Sequence, residues 1–226
     1  MSNVSRKIIE SRRGLVGNWT PREIKSVDAE GGCGVTGFAS SVPVRGKHIY
    51  EPSVQMHNRG NGKGGGIAAV ALDAAQLGVS DELLKQDYIL QIAILQPECR
   101  ETLEAEFIDS VFDIHKKTYI QPACDWRDIQ GLEVRPPDVW RYFVSVKPKI
   151  LDKFIQDNSL SDATRREAED EFVNQNTFKL NSKYYASLGE KAAFVLSHGR
   201  NMVIFKMVGY AEQNVEYYGL DDFKAH

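Results

Sequence analysis

Cysteine is scarce in this chain. Only Cys33, Cys99 and Cys124 occur among 226 residues. An odd, sparse set with no C-x-x-C pair speaks against a disulfide framework and against a zinc site. Such usage predicts a reducing, cytoplasmic setting. Long apolar runs are missing as well: none reaches the roughly 18 residues that a membrane span needs. Residues 1–30 lack the short apolar core of a secretory signal. Excess positive charge is also absent. Twenty-eight Lys and Arg against 31 Asp and Glu give a net charge of −3, which offers no electrostatic case for nucleic acid or an anionic membrane. No internal repeat or low-complexity tract is present. What remains is an ordinary globular composition, long enough for one large domain or for a domain with a sizeable insertion.

Residues 1–32 read as a leader. Before residue 26, Arg6, Lys7, Arg12, Arg13, Arg22 and Lys25 oppose only Glu10 and Glu23. A surface arm is the simpler reading. A transit segment would carry fewer acids and more serine. Thr20-Pro21-Arg22-Glu23 has capping-box form, with proline at the first helical position, and predicts a short helix to about Val27.

Two stretches then stand out. Gly31-Gly32-Cys33-Gly34-Val35-Thr36-Gly37-Phe38 sets a lone cysteine between glycines at the mouth of an expected strand. Met56 to Gly66 (MHNRGNGKGGG) is a glycine loop leading into an apolar run, Ile67 to Leu72, expected to be a buried strand. A thiol beside accessible backbone N–H groups is the usual setting of a cysteine nucleophile. Inert packing is the competing reading of Cys33. Cleavage between Gly32 and Cys33 would free an α-amine able to act as the thiol's base. The glycine loop is not a P-loop, because Lys63 is followed by Gly64 and a strand follows where a helix is required. Arg59 could grip a carboxylate or brace its own loop through backbone carbonyls. His48, His57, His115, His198 and His226 are scattered and read as surface or satisfied side chains.

Elsewhere the pattern predicts a loop over residues 42–47 and a short helix capped by Ser80. A strand is expected at Tyr88–Leu95, then an amphipathic helix opened by Pro97 that carries Leu103, Phe107, Ile108, Val111 and Phe112 on one face. A strand at Val139–Val146 and a helix from Pro148 to about Gln156 follow, with a charged helical stretch at 160–176. This succession predicts a compact inserted α+β subdomain over 80–185. A returning hairpin is expected within 186–226, its strands at Ala193–Leu196 and Met202–Phe205 and its turn at His198–Asn201.

Taken in order, Cys33-Gly34-Val35-Thr36-Gly37, Arg59-Gly60 and Gly66-Ile67-Ala68 resemble the start of a class II glutamine amidotransferase domain, an N-terminal-nucleophile (Ntn) hydrolase. The likeness is to the stand-alone amidotransferase subunits related to glutamate synthase. Phe205-Lys206-Met207-Val208-Gly209 is similar to a following Lys-x-x-Gly strand. The resemblance implies an α+β fold, the N-terminal part of an αββα sandwich. Residues 33–79 and 186–226 would belong to the amidotransferase domain, with 80–185 inserted and 1–32 a leader or propeptide. It implies Cys33 as the catalytic nucleophile toward glutamine, with Arg59 and Gly60 at the substrate.

No metal or cofactor is expected on this chain. Flavin and iron–sulfur centres would lie on a synthase subunit that receives the ammonia. Two features depart from the family pattern. Cys33 follows a leader, and the sequence reaches His226 before the His-x-Arg strand and the Asn-Gly oxyanion pair that the family places after the Lys-x-x-Gly strand; Asn61-Gly62 lies too early in that order to be the pair. The departures keep a second expectation open: a non-catalytic assembly or regulatory protein that retains part of the fold.

Overall fold

A computed structural model describes residues 3–16, 33–185 and 189–226. The chain begins with α1 (Asn3–Ser11) and α2 (Arg13–Val16). From Cys33 the first strand is β1 (Val44–Arg45), followed by α3 (Lys47–Val54) and a 3-10 turn at His57–Arg59. Next come β2 (Gly65–Val70), α4 (Ala74–Leu77), α5 (Asp81–Gln86) and β3 (Tyr88–Ile94). A 3-10 turn at Pro97–Cys99 leads into α6 (Arg100–Glu104), which ends in a π-helical turn, Ala105–Asp109. Then follow β4 (Phe112–Tyr119), β5 (Asp138–Val146), α7 (Pro148–Asp157) and α8 (Arg165–Tyr184). The last elements are β6 (Ala193–Gly199), β7 (Met202–Met207), α9 (Ala211–Tyr218) and β8 (Lys224–Ala225). The fold is mixed α and β.

Among the described residues the strands form three antiparallel sheets: β4-β5-β3-β6, β2-β7 and β1-β8. The largest sheet is covered on both faces, which explains why β3 reads YILQIAI without polar alternation and is buried throughout. On one face Tyr88, Leu90, Ile92 and Ile94 pack with Leu103, Leu151, Val173 and Leu180 of the helices α6, α7 and α8. On the other, Ile89, Val139 and Phe143 join Val203, Phe205 and Met207 of β7 and Val215 and Tyr218 of α9. Local signals agree with these ends. The Ser80 hydroxyl caps α5 by accepting from Leu83 N at 3.2 Å. Thr164 and Glu167 form a reciprocal capping box at α8.

Several local expectations are corrected. Residues 33–39 adopt neither helix nor strand, because no strand ladders with them. Residues 44–45 are a strand, held by β8 through the pairs Val44–Ala225 and Arg45–Lys224, and a helix begins at Lys47. β2 is not a buried strand. It pairs with β7 alone, and of its residues only Ala69 is buried while Val70 is half exposed. The helix after Pro97 stops by Asp109, and Phe112 opens the edge strand β4 instead.

The expected hairpin is also absent. β6 pairs with β3 and β7 pairs with β2, so the two strands enter different sheets. Their connection is held from both sides. Asn201, at φ +53°, accepts from Ala71 N through its carbonyl and from Leu72 N through Oδ1 at 2.7 Å. Arg200 bonds Gln86 O, Asp170 and Glu169. β6 therefore completes the sheet built from residues 88–146, across the boundary expected at 185.

The leader's described part is not a free arm. Arg12 makes a two-pronged contact with Glu171, and Lys7 pairs with Asp162 at 2.6 Å, docking residues 3–16 on and beside α8. The expected helix at 21–27 and the Gly32–Cys33 junction lie outside the described residues.

Candidate functional site

The segment after Cys33 forms one wall of an apolar cleft of about 360 Å³. Gly34 to Phe38 face Ile67 and Ala69 of β2, Met56 beyond α3, and Phe205 of β7, with Leu220 and Phe223 behind. Cys33 is an exposed free thiol beside this wall. Gly34 is required by close approach. A Cβ there would lie 2.9 Å from Met56 Cβ and 3.2 Å from Arg59 Cβ, tighter than a side chain tolerates. The backbone beside the thiol thus passes directly over the His57–Arg59 turn.

Arg59 and Gly60 are both exposed on this rim. Among the described residues the Arg59 side chain makes no hydrogen bond or ion pair. The three residues singled out in the sequence, Cys33, Arg59 and Gly60, therefore share one neighbourhood, with Gly34 as the joint between them.

What the sequence reading missed is the support beneath this rim. The buried carboxylate of Glu212, in α9, bonds His57 Nε2, and the His57 ring stacks on Tyr210 at 3.9 Å between centroids. The Tyr210 ring also lies against Gly62, whose φ of +68° favours glycine. At Gly65 a Cβ would come within 2.3 Å of Tyr210 C and 2.4 Å of Ala211 N. The glycine loop is thus shaped by the start of α9. Its signal was present in Tyr210-x-x-Gln213, where Gln213 Oε1 accepts from Tyr210 N at 2.7 Å, and in Gly219 as left-handed C-cap.

No family model matches this chain. It is similar to an uncharacterized protein of Archaeoglobus fulgidus, 28% identical over 202 residues. The match covers 86% of this chain and 44% of that protein, so the chain spans less than half of the relative's length.

The other cysteines differ from Cys33 in setting. Burial pushes both the Cys99 and Cys124 thiols up, and each donates to a carbonyl, of Ala192 and Glu216 respectively. His115 is satisfied by the buried Asp87 at 2.6 Å. His226 approaches Ser40 O at 3.2 Å, closing the end of the cleft. His48 is exposed and His198 half-buried. Among the described residues no cluster of three or more His, Cys, Asp or Glu could hold a metal ion, and no helix is long and apolar enough to cross a membrane.

Proposed function

We propose that this chain is the glutaminase part of a glutamate synthase-like class II amidotransferase of the Ntn-hydrolase type. The observation that carries the reading is the seating of the Cys33–Gly34 backbone on the turn that bears Arg59 and leads to Gly60. The motif order in the sequence and the cleft beside an exposed thiol support it. In this reading Cys33 Sγ attacks the side-chain amide carbon of glutamine. The C–N bond breaks, the nitrogen takes a proton and leaves as ammonia, and a glutamyl thioester remains. Water then releases glutamate and the thiol. Arg59 and the loop from Gly60 form the wall that receives the substrate, with the guanidinium free for a carboxylate. The base is the α-amine exposed by cleavage after Gly32. Ammonia passes to a synthase subunit that carries the flavin and iron–sulfur centres.

A glutamine analogue with an electrophilic ketone in place of the amide tests this. It should modify Cys33, with protection by glutamine, and leave Cys99 and Cys124 untouched. Cys33 unmodified, with and without candidate synthase partners, would overturn the enzyme reading and leave the non-catalytic one. N-terminal analysis of the labelled protein should find Cys33 first; an active, uncut chain would remove the α-amine from the mechanism.

A further inference from the structure

The four-stranded sheet ends at β4, whose outer side has no partner strand among the described residues. Asp113, Ile114, His115 and Lys117 of this strand are exposed. The register fixes which backbone groups face outward. Lys147 N donates to Val111 O at 3.0 Å and Ile120 N to Val139 O at 2.8 Å, tying both ends of β4 to β5. Bonds in an antiparallel pair alternate residue by residue. Counted inward from those ends, the N–H and C=O groups of Phe112, Ile114, Lys117 and Tyr119 point away from β5. A bulge at His115 shifts the phase midway. The outward set is therefore symmetric about the peptide bond between His115 and Lys116.

A strand can ladder with its own copy across a two-fold axis when outward residues meet outward residues. An axis at the 115–116 bond does this: Phe112 meets Tyr119 of the second copy, and Ile114 meets Lys117 of the second copy. The charges fit as well. Among the described residues Asp113 has no cationic partner and Lys116 no acidic one; Lys116 Nζ bonds Leu77 O and Gly78 O instead, each at 2.8 Å. In the two-fold register Asp113 stands opposite Thr118 and diagonal to Lys116 of the second copy, a separation that a long side chain spans. The symmetry makes this contact twice. Outward lysines ordinarily blunt such an edge, but here both lysines lean back on their own chain. Lys117 bonds Glu104 at 2.5 Å and lies 5.0 Å from the centre of the Trp140 ring. Ile114, in the middle of the edge, is left 37% exposed.

We propose that β4 pairs with β4 of a second copy, joining the two four-stranded sheets edge to edge in a symmetric dimer. The seam stands apart from the glutaminase reading, since no residue of the Cys33 rim takes part.

Sedimentation equilibrium of the whole chain, up to about 100 μM, should fit a monomer–dimer equilibrium. Ile114→Pro removes an outward N–H without taking a bond from β5, and should weaken the dimer about tenfold or more. Asp113→Lys sets like charges against each other at both contacts and should weaken it severalfold. Tryptophan-detected melting of each variant reports whether the monomer folds. If Ile114→Pro does not fold, Asp113→Lys decides. A wild-type chain that stays monomeric throughout would overturn the proposal, and so would a dimer that the deciding variant leaves unchanged.

Discussion

Gly64 and Gly65 are neighbours of the same residue type, yet the structure assigns them opposite tolerances. A methyl group on Gly65 would be placed 2.3 Å from Tyr210 C, 2.4 Å from Ala211 N and 2.8 Å from Gly209 O. All three are backbone atoms, so no side-chain rotation relieves the overlap. Ordinary contact would require the start of α9 to retreat by roughly 1 Å. That end is tied down by the Tyr210–Gln213 bond and the His57–Glu212 contact. Overpacking of this kind costs about 1–3 kcal/mol. The stiffer unfolded chain of an alanine variant returns about 0.4–1 kcal/mol. Gly65→Ala should therefore lose about 1–2 kcal/mol net. Gly64 has no atom within 4 Å of its built Cβ and lacks a positive φ, so Gly64→Ala should be neutral or gain up to about 1 kcal/mol. Urea unfolding followed by tryptophan fluorescence would measure both. Midpoints that agree to within about 0.5 kcal/mol, converted through the common slope, would refute the contact between the glycine loop and α9. With it would go the account of how the Cys33 rim is supported.

Two further outcomes follow from the surroundings of individual side chains. Arg12→Met leaves Glu171, 3% exposed, without its cation. Because the Arg12 side chain is itself about half exposed, the loss should be modest, about 1–2 kcal/mol. Hydrogen exchange should show residues 3–16 losing protection while β3 keeps its own; unchanged protection in α1 would refute the docking role of the pair. His198 is held below the ordinary histidine range by burial. The unfolded chain binds that proton below about pH 6.5 while the folded chain does not, so stability should fall as pH drops through 6.5 and level off below the folded value. His198→Gln should flatten this part of the curve in urea midpoints measured from pH 7.5 to 5. Parallel curves for the two proteins would contradict the burial of the neutral ring.

The elements most legible in the sequence were those whose pattern comes from local chemistry. Ser80 marked a helix start, and Pro148 stands at the first position of α7. The unbroken apolar run from Tyr88 marked a strand covered on both faces. β4 was illegible because FDIHKKTY is an edge strand with Asp113, Ile114 and His115 turned to solvent. Its hydrophobic start was absorbed into the preceding helical pattern. The hairpin misreading has a different cause. Two apolar runs with a short polar turn fit antiparallel pairing, but the partners that separate them, Ala71, Leu72, Glu169 and Asp170, lie far away in sequence. At the candidate site, Cys33, Arg59 and the glycines were visible as residue types. Glu212 was not, because one acid in a short C-terminal helix carries no mark of burial until α9 is packed.

The splayed link between β6 and β7 bears on how this protein could be divided. Residues 80–185 look like a cassette that could be lifted out. Removing them would take β3, β4 and β5 together and strip β6 of its ladder partner. The remainder would expose an unpaired edge strand, a template for association with other chains. Neither piece is a module: a shortened protein that stays soluble and monomeric would have to retain β3, or replace it.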